Sequence, residues 1–298
     1  MISCNGILLI DKTAGSTSFD VVKKVRNILG KKIKVGHAGT LDPFATGLLI
    51  IMIGQGTKLS PYLMSGIKKY YGTMILGIET DSFDNTGKVV KETGVGNISA
   101  DHIEKVFALF KGRIKQKPPD FSAVKKNGVR AYILARKGQP VDLEERDVEV
   151  LSFSITDVSL PSVSFELVCS AGTYVRRIVS DVGKSLGTGA HLAMLRRLSS
   201  GVFSVDHALP ANNITDNIEK SIIGLDHALV WMPEIDIDTN LALKIRNGYQ
   251  PSVSELKVDN QTGPFIRVSC AGELVAILKS HDMGDKDYGN LTVDRVFM

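Results

Sequence analysis

The sequence predicts an α+β fold in two domains, and three observations carry that expectation. The first is length: 298 residues exceed one small module and favour two folded units. The second is a mixture of periods. Short apolar runs such as Gly6 to Ile10 and Leu48 to Ile53 read as strands, whereas Ile103, Val106, Phe107 and Phe110 recur at i, i+3, i+4 and i+7, a helical spacing. The third is a change of pattern around Trp231-Met232-Pro233, which divides the chain into 1–233 and 234–298, the latter at the small end of an independent domain.

Composition narrows the class without naming a function. The chain is 43% hydrophobic and 23% charged, with a net charge of +4, mildly basic and compatible with an RNA partner. Cys4, Cys169 and Cys270 are scattered and odd in number, and the six histidines form no His-x-x-x-His pair, so a disulfide framework or zinc site is not expected. No apolar run reaches the length of a membrane helix and no basic segment precedes a signal-like stretch. A cytoplasmic protein is expected.

Taken in order, Gly6 to Ile10 is a strand followed by the polar turn Asp11 to Gly15. Thr17 to Asp20 has capping-box spacing, Phe19, Val22, Val25 and Leu29 continue a helix, and Gly30 ends it. Lys23, Lys24, Arg26, Lys31, Lys32 and Lys34 crowd that helix and its exit, either as a solvated face or as an RNA contact. Gly36 to Leu48 is a polar loop with Asp42-Pro43 at its centre, leading into a buried strand, an arrangement that can hold one carboxylate at a surface. Gly54-Gln55-Gly56-Thr57-Lys58 lacks the spacing of a phosphate loop. A short helix is expected from Thr57 to Met64, and a strand from Lys69 to Ile75 whose adjacent Tyr70 and Tyr71 point to opposite faces.

Thr80 to Gly87 resembles a calcium loop in its oxygens, but Thr86 stands where the sixth-position glycine is needed, so a turn is expected. Ser99 opens a helix closed by Gly112. Residues 113–145 are the most basic part of the chain, with a hairpin signal at Asn127-Gly128 and a short helix from Arg130 to Lys137. Val148 to Val158 and Val163 to Val168 read as paired strands, and Gly172-Thr173-Tyr174 opens a helix with Val175, Ile178, Val179 and Val182 inward. Ile222 to Val230 is a short helix candidate, Leu241 to Asn247 another, and Phe265 to Ser269 with Leu274 to Leu278 a strand pair.

Three strings among these segments resemble one family. Gly36-His37-Ala38-Gly39-Thr40-Leu41-Asp42-Pro43 with Ala45-Thr46-Gly47, Gly172-Thr173-Tyr174-Val175-Arg176, and Leu195-Arg196-Arg197-Leu198 are similar to the signatures of the TruB-type tRNA pseudouridine synthases. The family has Pro where this chain has Thr13. The resemblance implies a mixed, mostly antiparallel sheet with flanking helices, an RNA-gripping thumb near 113–145, and a small C-terminal β-barrel of the PUA type. It implies isomerisation of a uridine in the T-loop of tRNA, at position 55, by base flipping, with no cofactor, no metal, no protein partner required and a monomeric enzyme.

By the same resemblance Asp42 is the essential carboxylate, Arg176 pairs with and orients it, and Tyr70, seven residues before the glycine of Leu76-Gly77, stacks on the base and takes part in C5 deprotonation. Leu195 lines the uracil pocket, and His37 packs into the RNA; Gly39, Thr40, Tyr174, Lys12, Lys69, Lys125 and Arg130 complete the expected binding set. The chemistry breaks the bond from C1′ to N1, turns the base and joins C1′ to C5, so no redox change or group donor enters. Three other readings are an RNA-binding protein without catalysis, a guide-RNA-dependent relative, and a metal- or nucleotide-dependent transferase. The intact Asp42, Tyr70 and Arg176, the basic insertion, and the failed loop spacings count against them in turn.

Overall fold

The computed structural model describes residues 4–122, 124–126, 128–139, 142–215, 218–256, 263–281 and 291–298. A buried strand, β1 (Gly6–Lys12), opens the chain. Thr17 then caps α1 (Ser18–Leu29) through the expected reciprocal box: its hydroxyl accepts from the Asp20 N–H, and the Asp20 carboxylate accepts from the Thr17 N–H. Gly30 ends the helix at a φ of 103°. β2 (Val35–Ala38) and β3 (Thr46–Ile53) flank the Asp42 loop. A 3-10 turn over Gly54–Leu59 and α2 (Ser60–Ser65) stand where one short helix was expected. β4 (Lys68–Leu76) alternates buried and half-buried positions, which turns Tyr70 inward and Tyr71 away.

A small hairpin follows, β5 (Ile78–Thr80) and β6 (Val89–Glu92), and then α3 (Ala100–Ala108) capped by Ser99. α3 stops short of Gly112, which at a φ of 88° begins β7 (Gly112–Gln116) instead. β8 (Lys125–Lys126) pairs antiparallel with β9 (Val129–Arg130), and α4 (Ala131–Arg136) follows; Asn127 of the turn signal lies outside the described residues. β10 (Arg146–Ser159), β11 (Ser162–Cys169), α5 (Val175–Ser185) and β12 (Ala190–Ser200) then complete the frame of the site, with β13 (Phe203–Ser204) and β14 (Leu209–Pro210) at its margin.

No α-helix forms over Ile222 to Val230. Ile223 instead bridges Ile7 at a point where a Cβ on Gly6 would lie 2.2 Å from the Ile223 carbonyl oxygen, and only a 3-10 turn, His227–Leu229, follows. The C-terminal part holds β15 (Glu234–Asp236), α6 (Thr239–Arg246), α7 (Val253–Leu256), β16 (Phe265–Cys270), β17 (Glu273–Ser280) and β18 (Leu291–Val296).

Ten strands form one mixed sheet in the order β14-β1-β3-β12-β4-β11-β10-β7, with β2 on β3 and β13 on β12. Only the β1–β14 and β3–β12 pairs are parallel. β1 is apolar from Ile7 to Ile10 because both its faces are buried. Leu8 and Ile10 join the core under α1, α3 and α5, while Ile7 and Leu9 join a second core with Leu229, Met232, Leu274, Ile277 and Phe297. That second core welds the large sheet to the C-terminal sheet. The latter, β15-β16-β17-β18, has its own apolar centre around Ile245, Val268, Val275 and Leu278, and no closed barrel forms among the described residues.

Candidate active site

Asp42 sits on a loop tied down from four sides. Ser18, in the first turn of α1, accepts from the Leu41 N–H at 2.8 Å and donates to the Leu41 carbonyl at 3.1 Å. The Gly15 N–H donates to the Pro43 carbonyl at 2.8 Å, and the Lys12 ammonium reaches that carbonyl at 3.3 Å. From β12, Arg197 donates to the Gly39 carbonyl at 3.1 Å. Gly39 itself has a φ of 94°, a conformation that favours glycine. The aspartate is therefore preorganised by backbone contacts rather than by its own side chain.

Arg176, one residue into α5, meets that carboxylate with two nitrogens. Nε lies 2.9 Å from Asp42 Oδ2 and Nη2 lies 3.3 Å from Oδ1, the two-point grip that a guanidinium fork allows. The same group serves a second acid: Nη1 lies 3.0 Å from Asp84 Oδ2 and donates to the Ser82 carbonyl at 3.0 Å. Nη2 also donates to the Phe121 carbonyl at 3.0 Å. Asp84 is locked in turn, its Oδ1 accepting from Ser82 Oγ, the Thr86 N–H and Thr86 Oγ1. Arg176 is 5% exposed and Asp84 3%, whereas the Asp42 side chain keeps 33% of its surface open. One face of the aspartate is thus presented outward while its partner is buried.

Burial pushes the Asp42 carboxyl above its ordinary pKa; Arg176 pulls it down, Asp84 pushes it further up, and Lys12 pulls it down again. Tyr70, paired on β4 with Arg197 of β12, is buried among Leu41, Leu195 and Val175, and burial raises its phenol while Arg197 lowers it. Leu195 is 5% exposed on the same strand as Arg197, two positions away on one face. Asp42, Arg176, Tyr70 and Leu195 therefore converge on one face of the sheet, beneath α1 and α5.

The expected binding residues divide into groups. His37 is half-buried in β2, one residue before its end at Ala38, and Thr40 is exposed on the aspartate loop. Tyr174 is the N-cap of α5, and its backbone is clamped by Gln116 of β7: the Tyr174 N–H donates to Gln116 Oε1 at 2.7 Å, and Gln116 Nε2 donates to the Tyr174 carbonyl at 3.1 Å. Lys69 is half-exposed and ion-pairs with Glu166 at 3.0 Å on the sheet. Lys125 and Arg130 lie on β8 and β9, and their side chains are outside what is described. Lys12 corrects the expectation of a surface contact. It is fully buried, its ammonium donates to the carbonyls of Thr13, Ser16 and Pro43, and burial lowers its pKa to about 8. It braces the loop from inside.

Three residues at the site have no role assigned from the sequence: Gln116, Asp84 of the Thr80-to-Gly87 turn, and Arg197 of the Leu195-to-Leu198 string. The Thr80-to-Gly87 segment was noticed for its oxygens, and those oxygens serve Asp84 and Arg176 rather than a cation. Among the described residues no group of three His, Cys, Asp or Glu side chains could hold a metal ion, and no helix is long and apolar enough to cross a membrane.

Comparison with known proteins identifies the family. The family model described as TruB family pseudouridylate synthase, N-terminal domain, matches residues 26–175, and that described as tRNA pseudouridylate synthase B C-terminal domain matches residues 176–229. The tRNA pseudouridine synthase B of Geotalea uraniireducens is 39% identical over 98% of this chain and 97% of its own length. That of Geobacter sulfurreducens is 40% identical over 98% and 99%. Among solved structures, a chain of a Cbf5-Nop10-Gar1 complex superposes with a TM-score of 0.75 at 25% identity, covering 100% of this chain and 86% of that one. With family models over most of its length and relatives near 40% identity along almost all of it, the chain belongs to the TruB family of pseudouridylate synthases.

Proposed function

We propose that this chain isomerises the uridine at position 55 in the T-loop of tRNA, with Asp42 as the essential group. The relatives' tRNA activity supports the substrate class. The observation that carries the rest is the Arg176 fork on Asp42 at 2.9 and 3.3 Å. A carboxylate that must act ionised while half-covered by a flipped base needs a fixed counter-charge, and Arg176 supplies one from below, leaving the outer edge of Asp42 free for the sugar or base. Tyr70 and Leu195 offer an aromatic and an aliphatic wall for the uracil ring. After the new bond from C1′ to C5 forms, Tyr70 takes part in removing the C5 proton.

Basic residues in 113–145 are the gripping thumb in this reading, making sequence-independent phosphate contacts. Residues 234–298 are a PUA-like RNA-binding domain following a catalytic domain at 1–233. The protein works alone, as a cytoplasmic monomer without a cofactor.

Tritium release from a T-arm stem-loop labelled at C5 of the target uridine tests the reading, with the isolated native protein and Asp42→Ala. Release by the native protein alone is expected. Release by both would remove Asp42 from the chemistry, and release by neither, on stem-loop and on full tRNA, would remove the substrate assignment.

A further inference from the structure

Arg197 is the largest fully buried side chain of the molecule, and nothing above gives it a catalytic part. Its Nε donates to the Leu48 carbonyl of β3 at 2.7 Å and its Nη2 to the Gly39 carbonyl of the aspartate loop at 3.1 Å. A Cβ on Gly39 would lie 3.4 Å from its Nη1, so the guanidinium lies against that loop. Across the sheet Arg197 stands directly opposite Tyr70 in the register of β12 and β4, and its charge favours the ionised form of the Tyr70 phenol.

Buried guanidinium groups ordinarily face a carboxylate. Among the described residues no ion pair includes Arg197, nor the two buried lysines nearest it in charge, Lys12 and Lys68. Burial first and the Arg197 charge second lower both lysines to about 8. The acidic and neutral groups that face Tyr70 are Asp42 from its loop and Cys169 from β11, and both work against a charged phenol. Lys12 works with Asp42, so among the described residues Arg197 is the cation that acts on the Tyr70 oxygen, from the position opposite it on the sheet.

We infer that Arg197 is a positioning residue for the late proton transfer, holding the Tyr70 hydroxyl in place and stabilising its oxygen as an anion while a proton moves. This rests on the proposed role of Tyr70. In the C5-linked intermediate, C5 carries both its proton and C1′. The neutral Tyr70 phenol, the form burial favours, gives its proton to N1 and becomes phenolate. The C5–H bond then breaks with the proton going to that phenolate; the bonding pair forms the C5=C6 double bond, the C6=N1 pair moves onto N1, and the phenol is restored. One proton leaves C5 and one reaches N1 through one oxygen, and no oxidant or external acid is consumed. Arg197 keeps the anionic form of that oxygen accessible inside a buried site. Its grip on Gly39 also ties the tyrosine to the loop that carries Asp42, so both reacting groups share one anchor.

The test compares native protein with Arg197→Lys, Arg197→Met and Tyr70→Phe. Tyrosine labelled with ¹³C at Cζ gives the Tyr70 titration directly, the signal being the one missing in Tyr70→Phe. In Arg197→Met the Tyr70 midpoint is expected to rise by about one unit or more and kcat to fall about tenfold or more, with KM changed less than about twofold. Arg197→Lys, which keeps the charge but not the fork, is expected in between. A folded Arg197→Met with an unmoved Tyr70 midpoint, or with native kcat, overturns the inference. Should Arg197→Met fail to fold, ¹⁵N resonances of the Arg197 side chain decide: Tyr70→Phe removes one oxygen only, and unchanged resonances overturn the contact. If native protein itself releases no tritium from labelled T-arm, the substrate reading has failed rather than this one, because the titration and the resonances are read without RNA.

Discussion

Arg176 divides one guanidinium between two carboxylates, and that division decides what each replacement does. Removing the charge of Asp84 strips a hydrogen-bonded anion from a buried cation, a loss of about 1.5–3 kcal/mol, so Asp84→Asn is expected to lower kcat about ten- to hundredfold. The pH profile carries a sharper signature. Asp84 pushes the Asp42 pKa up, so without it the pKa falls and the acid limb of kcat/KM moves to lower pH. A limb that stays in place in a pH series of tritium release would contradict the shared-guanidinium account.

Asp42 gives a second test with the opposite sign for stability. Its folded pKa is raised, chiefly by burial, so its contribution to stability is full below its unfolded value and is lost as pH rises through the folded value. Asp42→Asn is therefore expected to be inactive yet to melt no lower than native protein at neutral pH, with Asp84 still paired to Arg176; a lower melting temperature there would refute the sign. Asp42 and Arg176 could be found in the sequence because each lies in a continuous string of unusual residues. The part Asp84 plays could not, because it is a contact with Arg176 across 92 positions, and Arg197, although it stands in the Leu195-to-Leu198 string, shows nothing there of its bond to Leu48 across 149.

At the scale of elements, what could be read was whatever its own neighbours determine. The Thr17 capping box, the Ser99 cap and the alternation that turns Tyr70 inward are local, and all three are present in the folded chain. Ile222 to Val230 misled because its apolar residues answer to β1, more than two hundred positions away, rather than to a helical face. β7 is similar: a basic segment gave no sign that Gly112 to Gln116 would become the edge of the large sheet beside β10. That edge matters to the site through Gln116, which closes two hydrogen bonds with the Tyr174 backbone at the start of α5, two residues before Arg176. Gln116→Leu leaves the half-buried Tyr174 N–H without its partner, at about 1–3 kcal/mol, while the Tyr174 carbonyl keeps the Arg177 and Ile178 N–H groups. The variant is expected to melt several degrees lower and to lose kcat more than affinity for the stem-loop. Unchanged kcat in a folded variant would uncouple the β7 root from Arg176.

The whole molecule is held by two kinds of joint between its parts. The C-terminal sheet meets the large sheet through a continuous apolar core, with Leu274, Ile277 and Phe297 packed against Ile7, Leu48 and Tyr62. Tyr62 and Phe265 meet edge to face at 4.9 Å, Arg267 binds both Asp226 and Glu234, and Lys58 donates to the Val296 carbonyl at 2.7 Å. The 117–145 segment, by contrast, has only a satellite core of Ala131 and Leu143, with Val124 and Leu134 against it. Two truncations should therefore behave differently. A chain ending at residue 233 exposes the second core and is expected to melt far lower and to aggregate, although none of the described residues beyond 233 bonds to Asp42 or Arg176. A chain in which a short Gly-Ser bridge replaces 124–139 keeps both large cores and the Phe121 contact to Arg176, and is expected to melt within a few degrees of native protein. Its loss is expected in RNA affinity, with a shallower fall of log K against log salt because phosphate contacts have gone. Calorimetry and salt-dependent binding of the two chains check this, and a stable 1–233 chain beside an unfolded bridge variant would reverse the assignment of which part is structural and which part grips.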